Sequence, residues 1–107
     1  LDKLPKLERR DYELRFRVRH RDLDLNQHVN NVSYIEWVIE SALIALNDAK
    51  VLKELEINFQ AEARFGDHVI SRCQSQTHDR TNFLHSLVRE EDGQEVARAK
   101  TIWKEHL

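Results

Sequence analysis

The sequence predicts an α+β domain in which one antiparallel sheet of about five strands wraps around a single long helix. Three observations carry this. Five segments, residues 12–21, 51–63, 68–77, 82–90 and 95–104, show strand patterning. One stretch, from Val32 to about Ala49, is helical in period and apolar on most sides, leaving a narrow wet stripe through Ser33, Glu36, Glu40, Asn47 and Asp48. A helix of that kind is enclosed by other structure. Third, strands of ~9–10 residues run about 30 Å and the helix roughly 25–30 Å, so the two lengths match.

Composition sets the frame. The chain has 107 residues, 40% hydrophobic and 34% charged, which suits one soluble globular domain with a core of its own. Two glycines and one proline leave little room for long loops. A formal net charge of −2 makes nucleic acid an unexpected partner. The single cysteine, Cys73, excludes an internal disulfide and fits a reducing compartment. No run approaches ~18 apolar residues, so no membrane-spanning helix is expected. The first residues do not read as a signal peptide. The chain starts at Leu1 and not at methionine, and is read as processed or as a piece of something longer.

Residues 1–11 are charged, aperiodic and hold the only proline, Pro5; they read as a linker or incoming arm, with the domain proper at 12–107. In the first strand Tyr12, Leu14, Phe16, Val18 and His20 share one face, and Arg15, Arg17, Arg19 and Arg21 share the other with Glu13. The arginine row reads as a solvated face or as a docking stripe for an acidic partner. Asn31 or Asn30 can cap the helix, and Ser33 with Glu36 has capping-box spacing for a later start. In the strand after the helix Leu55, Ile57, Phe59, Ala61 and Ala63 alternate with Glu54, Glu56, Asn58, Gln60 and Glu62. Gly66-Asp67 reads as a turn, and Asp92-Gly93 joins the last two strands as a tight hairpin. A sheet around one helix leaves an edge and an open helix flank, so a second copy or a second domain is expected there.

The chemistry concentrates in residues 21–37, where Asp22, Asp24, Asn26, His28, Asn30 and Asn31 lead straight into the helix. A helix start offers unpaired N–H groups and partial positive charge. A carboxylate, an imidazole and an amide beside it are the parts needed to hold a polarised carbonyl and activate a water. Asp and Asn before a helix also serve as plain turn and capping residues. The other histidines, His20, His68, His78, His85 and His106, show no metal-ligand spacing and read as surface or strand residues. Trp37 and Trp103 read as packing residues. There is no glycine-rich phosphate loop and no Gly-x-Ser-x-Gly elbow. Neither a metal nor a cofactor is expected.

The run Asp22-Leu23-Asp24-Leu25-Asn26-Gln27-His28-Val29-Asn30-Asn31, followed by Tyr34 and Trp37, resembles the signature of acyl-acyl-carrier-protein (acyl-ACP) thioesterases, hot-dog-fold enzymes of plastids and bacteria. The likeness extends to Lys3-Leu4-Pro5-Lys6-Leu7, to the acidic positions Glu62 and Asp67, and to the closing Arg98-Ala99-Lys100-Thr101-Ile102-Trp103-Lys104. It covers nearly the whole chain as one hot-dog unit, similar to the second, catalytic domain of that tandem family. The resemblance implies Asp24, Asn26, His28 and Glu62 as catalytic residues. Plant members often carry a cysteine after that glutamate; here the position is Ala63, and Cys73 does not replace it.

The expected reaction is hydrolysis of an acyl thioester by water, releasing free fatty acid. Glu62, or alternatively Asp24, acts as base or nucleophile; Asn26 and His28 orient water and carbonyl. Backbone N–H groups near Val29, Asn30 and Asn31 hold the oxyanion. Glu62 shares strand parity with Asn58 and Gln60, the wetter face, so it reaches the site through a bulge or because that face borders the domain junction. The implied partners are acyl carrier protein or acyl-coenzyme A and a second hot-dog domain or identical copy, in a bacterial cytoplasm or a plant plastid stroma. Two rivals stand beside this reading: a homodimeric acyl-coenzyme A thioesterase, and a non-catalytic module that binds an acyl chain or a partner.

Overall fold

The structure is a computed structural model describing residues 3–46 and 50–105. Its elements are β1 (Tyr12–Arg17), a 3-10 turn (His20–Asp22), α1 (Asn31–Ala45), β2 (Lys50–Phe59), β3 (His68–Ser75), β4 (Asn82–Arg89) and β5 (Glu95–Glu105). All five strands form one antiparallel sheet in the order β1-β3-β4-β5-β2, with α1 lying across β1, β3 and β4 and reaching β5. The expected architecture is the observed one.

β1 ends four residues earlier than its alternation suggests. Val18 keeps the inward parity and is fully buried, but its N–H donates to the Asp67 carbonyl and its carbonyl accepts from Gly66 N–H. The chain then turns, because the buried Asp22 carboxylate accepts the Arg19 N–H at 2.7 Å. Local side-chain bonding of this kind competes with a strand ladder. His20, expected on the buried face, is exposed as a result, and Arg19 and Arg21 do not belong to a strand face.

Asn30 is the helix cap, its side chain accepting Val32 N–H at 2.9 Å, and Asn31 is the first helical residue. Ser33 is no cap: it is buried and donates to Asp22. α1 spans 15 residues, ~22 Å at 1.5 Å per residue, and its last carbonyl, on Ala45, accepts from the Arg80 guanidinium. The expected continuation over Asn47, Asp48 and Ala49 lies outside the described residues, as do residues 1, 2, 106 and 107 and with them His106.

Tyr34, Trp37, Val38, Ser41, Ala42 and Ala45 face the sheet, while Val32, Leu43 and Ile44 are exposed on the opposite flank. The helix is therefore covered on one side only. Two apolar clusters meet under it: one around Trp37, Val38, Val69, Leu87 and Val96, the other around Ala42, Cys73, Phe83 and Trp103. His85 is a strand residue, one of the two readings the sequence allowed, and is only 1% exposed because β4 is central and buried almost throughout.

The incoming arm crosses the outer face of the sheet. Leu4 N–H donates to Asn58 on β2, the Leu4 carbonyl accepts from Arg98 on β5, and the N–H groups of Glu8 and Arg9 share Gln74 on β3. These contacts cover polar side chains that strand parity alone puts in water.

Candidate active site

The polar motif folds as a miniature hairpin. Leu23 bridges Val29, Asp24 N–H donates to the His28 carbonyl at 2.8 Å, and Gln27 N–H closes a turn onto the Asp24 carbonyl at 3.0 Å. Gln27 takes the left-handed conformation, φ 65°, that this short loop requires. Asp24 is the hub: its Oδ1 accepts the N–H of Asn26 at 2.9 Å and of His28 at 3.1 Å. Asp22, two residues earlier, braces the other end, bonding Arg19 N–H and the Ser33 hydroxyl.

Glu62 arrives from the far side. Gln60 and Ala61 both donate their N–H to the single carbonyl of Val96, at 2.8 and 3.2 Å. Two residues against one is the signature of a bulge. Ala63 keeps the buried parity and Glu62 the wet one, and the Glu62 carboxylate meets His28 on the exposed side, with Oε1 2.9 Å from Nδ1. The side chains of His28 and Glu62 are 57% and 62% exposed, so water has access to the pair. Because an ionised carboxylate only accepts, the contact assigns the proton to Nδ1 and leaves Nε2 of a neutral ring as an acceptor. Leu23, Gln27, His28, Glu62, Ala63, Arg64 and Phe65 line an open cleft of about 310 Å³.

The structure thus brings His28 and Glu62 together and places Asp24 beneath them. One Asp24 oxygen is committed to the loop backbone, which makes this residue the organiser of the loop. Asn26 is exposed and lies outside the cleft lining; among the described residues its side chain makes no hydrogen bond. Of the three expected oxyanion donors, Asn30 is corrected: its N–H donates to the Asp22 carbonyl at 2.8 Å. The N–H groups of Val29 and Asn31 have no hydrogen-bond partner among the described residues. Asp67 accepts Arg64 N–H and shapes the turn.

Cys73 is buried, and burial pushes its thiol up to about 11, so it supplies no thiolate nucleophile. Among the described residues no three His, Cys, Asp or Glu side chains converge as a metal site. The arginines divide by partner: Arg15 forks onto Glu90 and Arg17 lies 5.4 Å from the Phe65 ring centre. Arg19 stands 3.8 Å from Asp22, and Arg21 forms no ion pair among the described residues. Pattern reading missed Arg89, whose guanidinium donates to the Glu62 carbonyl from 27 residues away.

A five-stranded antiparallel sheet packed on one long helix defines a hot-dog domain. The family model described as the acyl-ACP thioesterase C-terminal domain matches residues 6–105, and the chain belongs to that family. Oleoyl-acyl carrier protein thioesterase 2, chloroplastic, of Arabidopsis thaliana is 36% identical, over 97% of this chain and 35% of its own length. The 12:0-ACP thioesterase from Umbellularia californica superposes with a TM-score of 0.83 at 27% identity, over 97% of this chain and 40% of that one. An acyl-ACP thioesterase from Bacteroides thetaiotaomicron does so at 0.74 and 25%, over 94% and 42%. The chain covers about a third of the two Arabidopsis oleoyl enzymes, 35% and 33% of their lengths.

Proposed function

We propose that this chain is the hydrolytic half of an acyl-ACP thioesterase, releasing free fatty acid from the acyl-phosphopantetheine thioester. The observation that carries this is the 2.9 Å contact between Glu62 and His28 in an open cleft beside the start of α1. Glu62 takes a proton from water as the water oxygen attacks the thioester carbonyl. The N–H groups of Val29 and Asn31 hold the oxyanion, and collapse breaks the C–S bond as Glu62 returns its proton to the departing sulfur, releasing the acid and the thiol. A positioned base contributes ~10²–10⁴-fold and an oxyanion donor about 10²–10³-fold. Asp24 holds the loop that presents His28, and Asn26 orients substrate from the loop tip.

The free Nε2 supports a second assignment within the same reaction: His28 is the base, and Glu62 orients it through Nδ1. Glu62→Gln separates the two, because the amide oxygen still accepts Nδ1–H but cannot take a proton. A fall of ~10² or more makes Glu62 the base; a fall within about tenfold makes it the orienter.

A second hot-dog domain, in the same chain or as an identical copy, covers the open side. The ten-residue β2 is one of the two sheet edges, and Leu52 and Phe59 on that strand and Val32, Leu43 and Ile44 on α1 are exposed. An uncovered edge beside exposed apolar side chains is what such a partner protects. Arg17, Arg21 and Arg64 form the basic approach for an acidic carrier protein. The enzyme works where acyl carrier protein is made, in a plant the plastid stroma and in a bacterium the cytoplasm.

The test is hydrolysis of an acyl-ACP and the matching acyl-coenzyme A, by this chain and by the chain extended at its N-terminus. Preference for the carrier-protein substrate by the extended protein supports the proposal. Robust coenzyme A hydrolysis by this chain alone supports the homodimeric rival instead. No turnover by either protein supports a binding module.

A further inference from the structure

We propose that Tyr34 and Arg89 are positioning residues for Glu62, gripping opposite ends of one peptide group; this rests on the reading that Glu62 takes part in the reaction. Glu62 stands on irregular chain between β2 and β3, and its side chain is 62% exposed. Among the described residues its side chain hydrogen-bonds only to His28. Neither a ladder nor packing around the carboxylate holds it in place, although reacting groups need placement to within ~1 Å.

The Glu62–Ala63 peptide supplies what the side chain lacks. Its carbonyl accepts from the Arg89 guanidinium at the end of β4. Its N–H, on Ala63, donates to the Tyr34 hydroxyl at 3.0 Å. Both anchors are themselves held. Arg89 forks onto Asp92 at 2.9 and 2.7 Å, in the turn of the β4–β5 hairpin. The Tyr34 ring is 3% exposed and lies edge-on between Trp37, 5.6 Å away, and Phe59, 5.5 Å away. Tyr34 also sits in the first turn of α1, which starts three residues after His28, so its anchor lies close in the chain to the loop that carries the other partner of the pair. The Ala63 methyl completes the grip by burying itself in the core beneath.

If these contacts served only to satisfy backbone groups, losing them would cost stability and leave the pair's geometry unchanged. The deciding measurement is therefore the imidazole ¹⁵N spectrum of His28 in this chain, which reads the share of the ring carrying its proton on Nδ1. Tyr34→Phe, Arg89→Met and Arg89→Lys are compared with the parent at a temperature where all are folded. The proposal expects the Nδ1–H tautomer to dominate in the parent, to give way in Tyr34→Phe and Arg89→Met, and to return in part with Arg89→Lys. In the active protein kcat is expected to fall about tenfold in the first two, with KM within about twofold. An unchanged His28 spectrum in folded Tyr34→Phe and Arg89→Met overturns the proposal. Should Arg89→Met fail to fold, Asp92→Asn releases the guanidinium from an exposed position and decides the same question. Glu62→Gln measured alongside keeps the two readings apart. If it retains full activity while the tautomer still shifts, the grip stands and the catalytic reading falls. If it is inactive and the tautomer does not respond, the reverse holds.

Discussion

His28 and His85 are both hydrogen-bonded histidines, and their surroundings are opposite. His28 has one nitrogen on Glu62 and a side chain that is 57% exposed. His85 is 1% exposed, with Nδ1 3.2 Å from the Ser41 hydroxyl and Nε2 2.7 Å from the Thr101 hydroxyl. Its protonation state follows from donor accounting. The Ser41 hydroxyl donates to the Val38 carbonyl, so it accepts from Nδ1–H of His85. With that proton on Nδ1, Nε2 of the neutral ring is an acceptor and takes the proton of the Thr101 hydroxyl, whose oxygen accepts from Trp103 Nε1–H. Every lone pair and proton of that ring is in use, and burial pushes its pKa down to about 3. A ring so satisfied holds two halves of the core together and can do no chemistry. His28 keeps one nitrogen and one open side, which is what a reaction with water requires.

The sharpest way to break the contrast is to remove each ring. His28→Ala is expected to lower thioester hydrolysis by about 10²-fold or more and to leave unfolding free energy within ~0.5 kcal/mol, as is usual for an exposed site. His85→Ala is expected to cost about 2–4 kcal/mol of stability through lost packing and lost hydrogen bonds, read from urea unfolding. Activity that survives the first change, or stability that survives the second, removes the distinction.

A pH series sharpens it further. The folded pKa of His85 lies below its unfolded value of ~6.5, so the unfolded chain binds the extra proton as pH falls. The stability His85 contributes is fully present above ~6.5 and is lost as pH falls toward about 3, by up to ~1.4 kcal/mol per pH unit. His85→Gln should remove that slope, seen as the difference between parent and variant unfolding at pH 7 and pH 5. The smallest effect tests the loop and helix junction: Asn30→Ala removes the cap on Val32 N–H and is expected to cost about 1 kcal/mol.

Periodicity exposed the framework of this molecule, and side-chain bonding hid the rest. Inward parity ran correctly through Tyr12, Leu14, Phe16 and Val18, the Asp92-Gly93 hairpin formed where its residues demanded it, and the motif led into a helix as its asparagines implied. The end of β1 was hidden because Asp22, which reads as an ordinary polar residue, is buried against backbone N–H groups that no pattern displays. Glu62 kept the wet parity of its strand, but its meeting with His28, 34 residues away, is a matter of tertiary structure. His85 looked like any strand histidine because its partners Ser41 and Thr101 lie 44 and 16 residues away. The resemblance singled out both His28 and Glu62, while the geometry that joins them belongs to tertiary structure.

One paired experiment tests the central claim most directly: acyl-ACP hydrolysis and urea unfolding measured side by side on Glu62→Gln and His85→Gln. Glu62→Gln is expected to lose ~10²-fold or more in rate with stability unchanged, whereas His85→Gln loses stability and, where folded, turns over like the parent. Glu62→Gln at full rate, or a folded His85→Gln that is inactive, would contradict it.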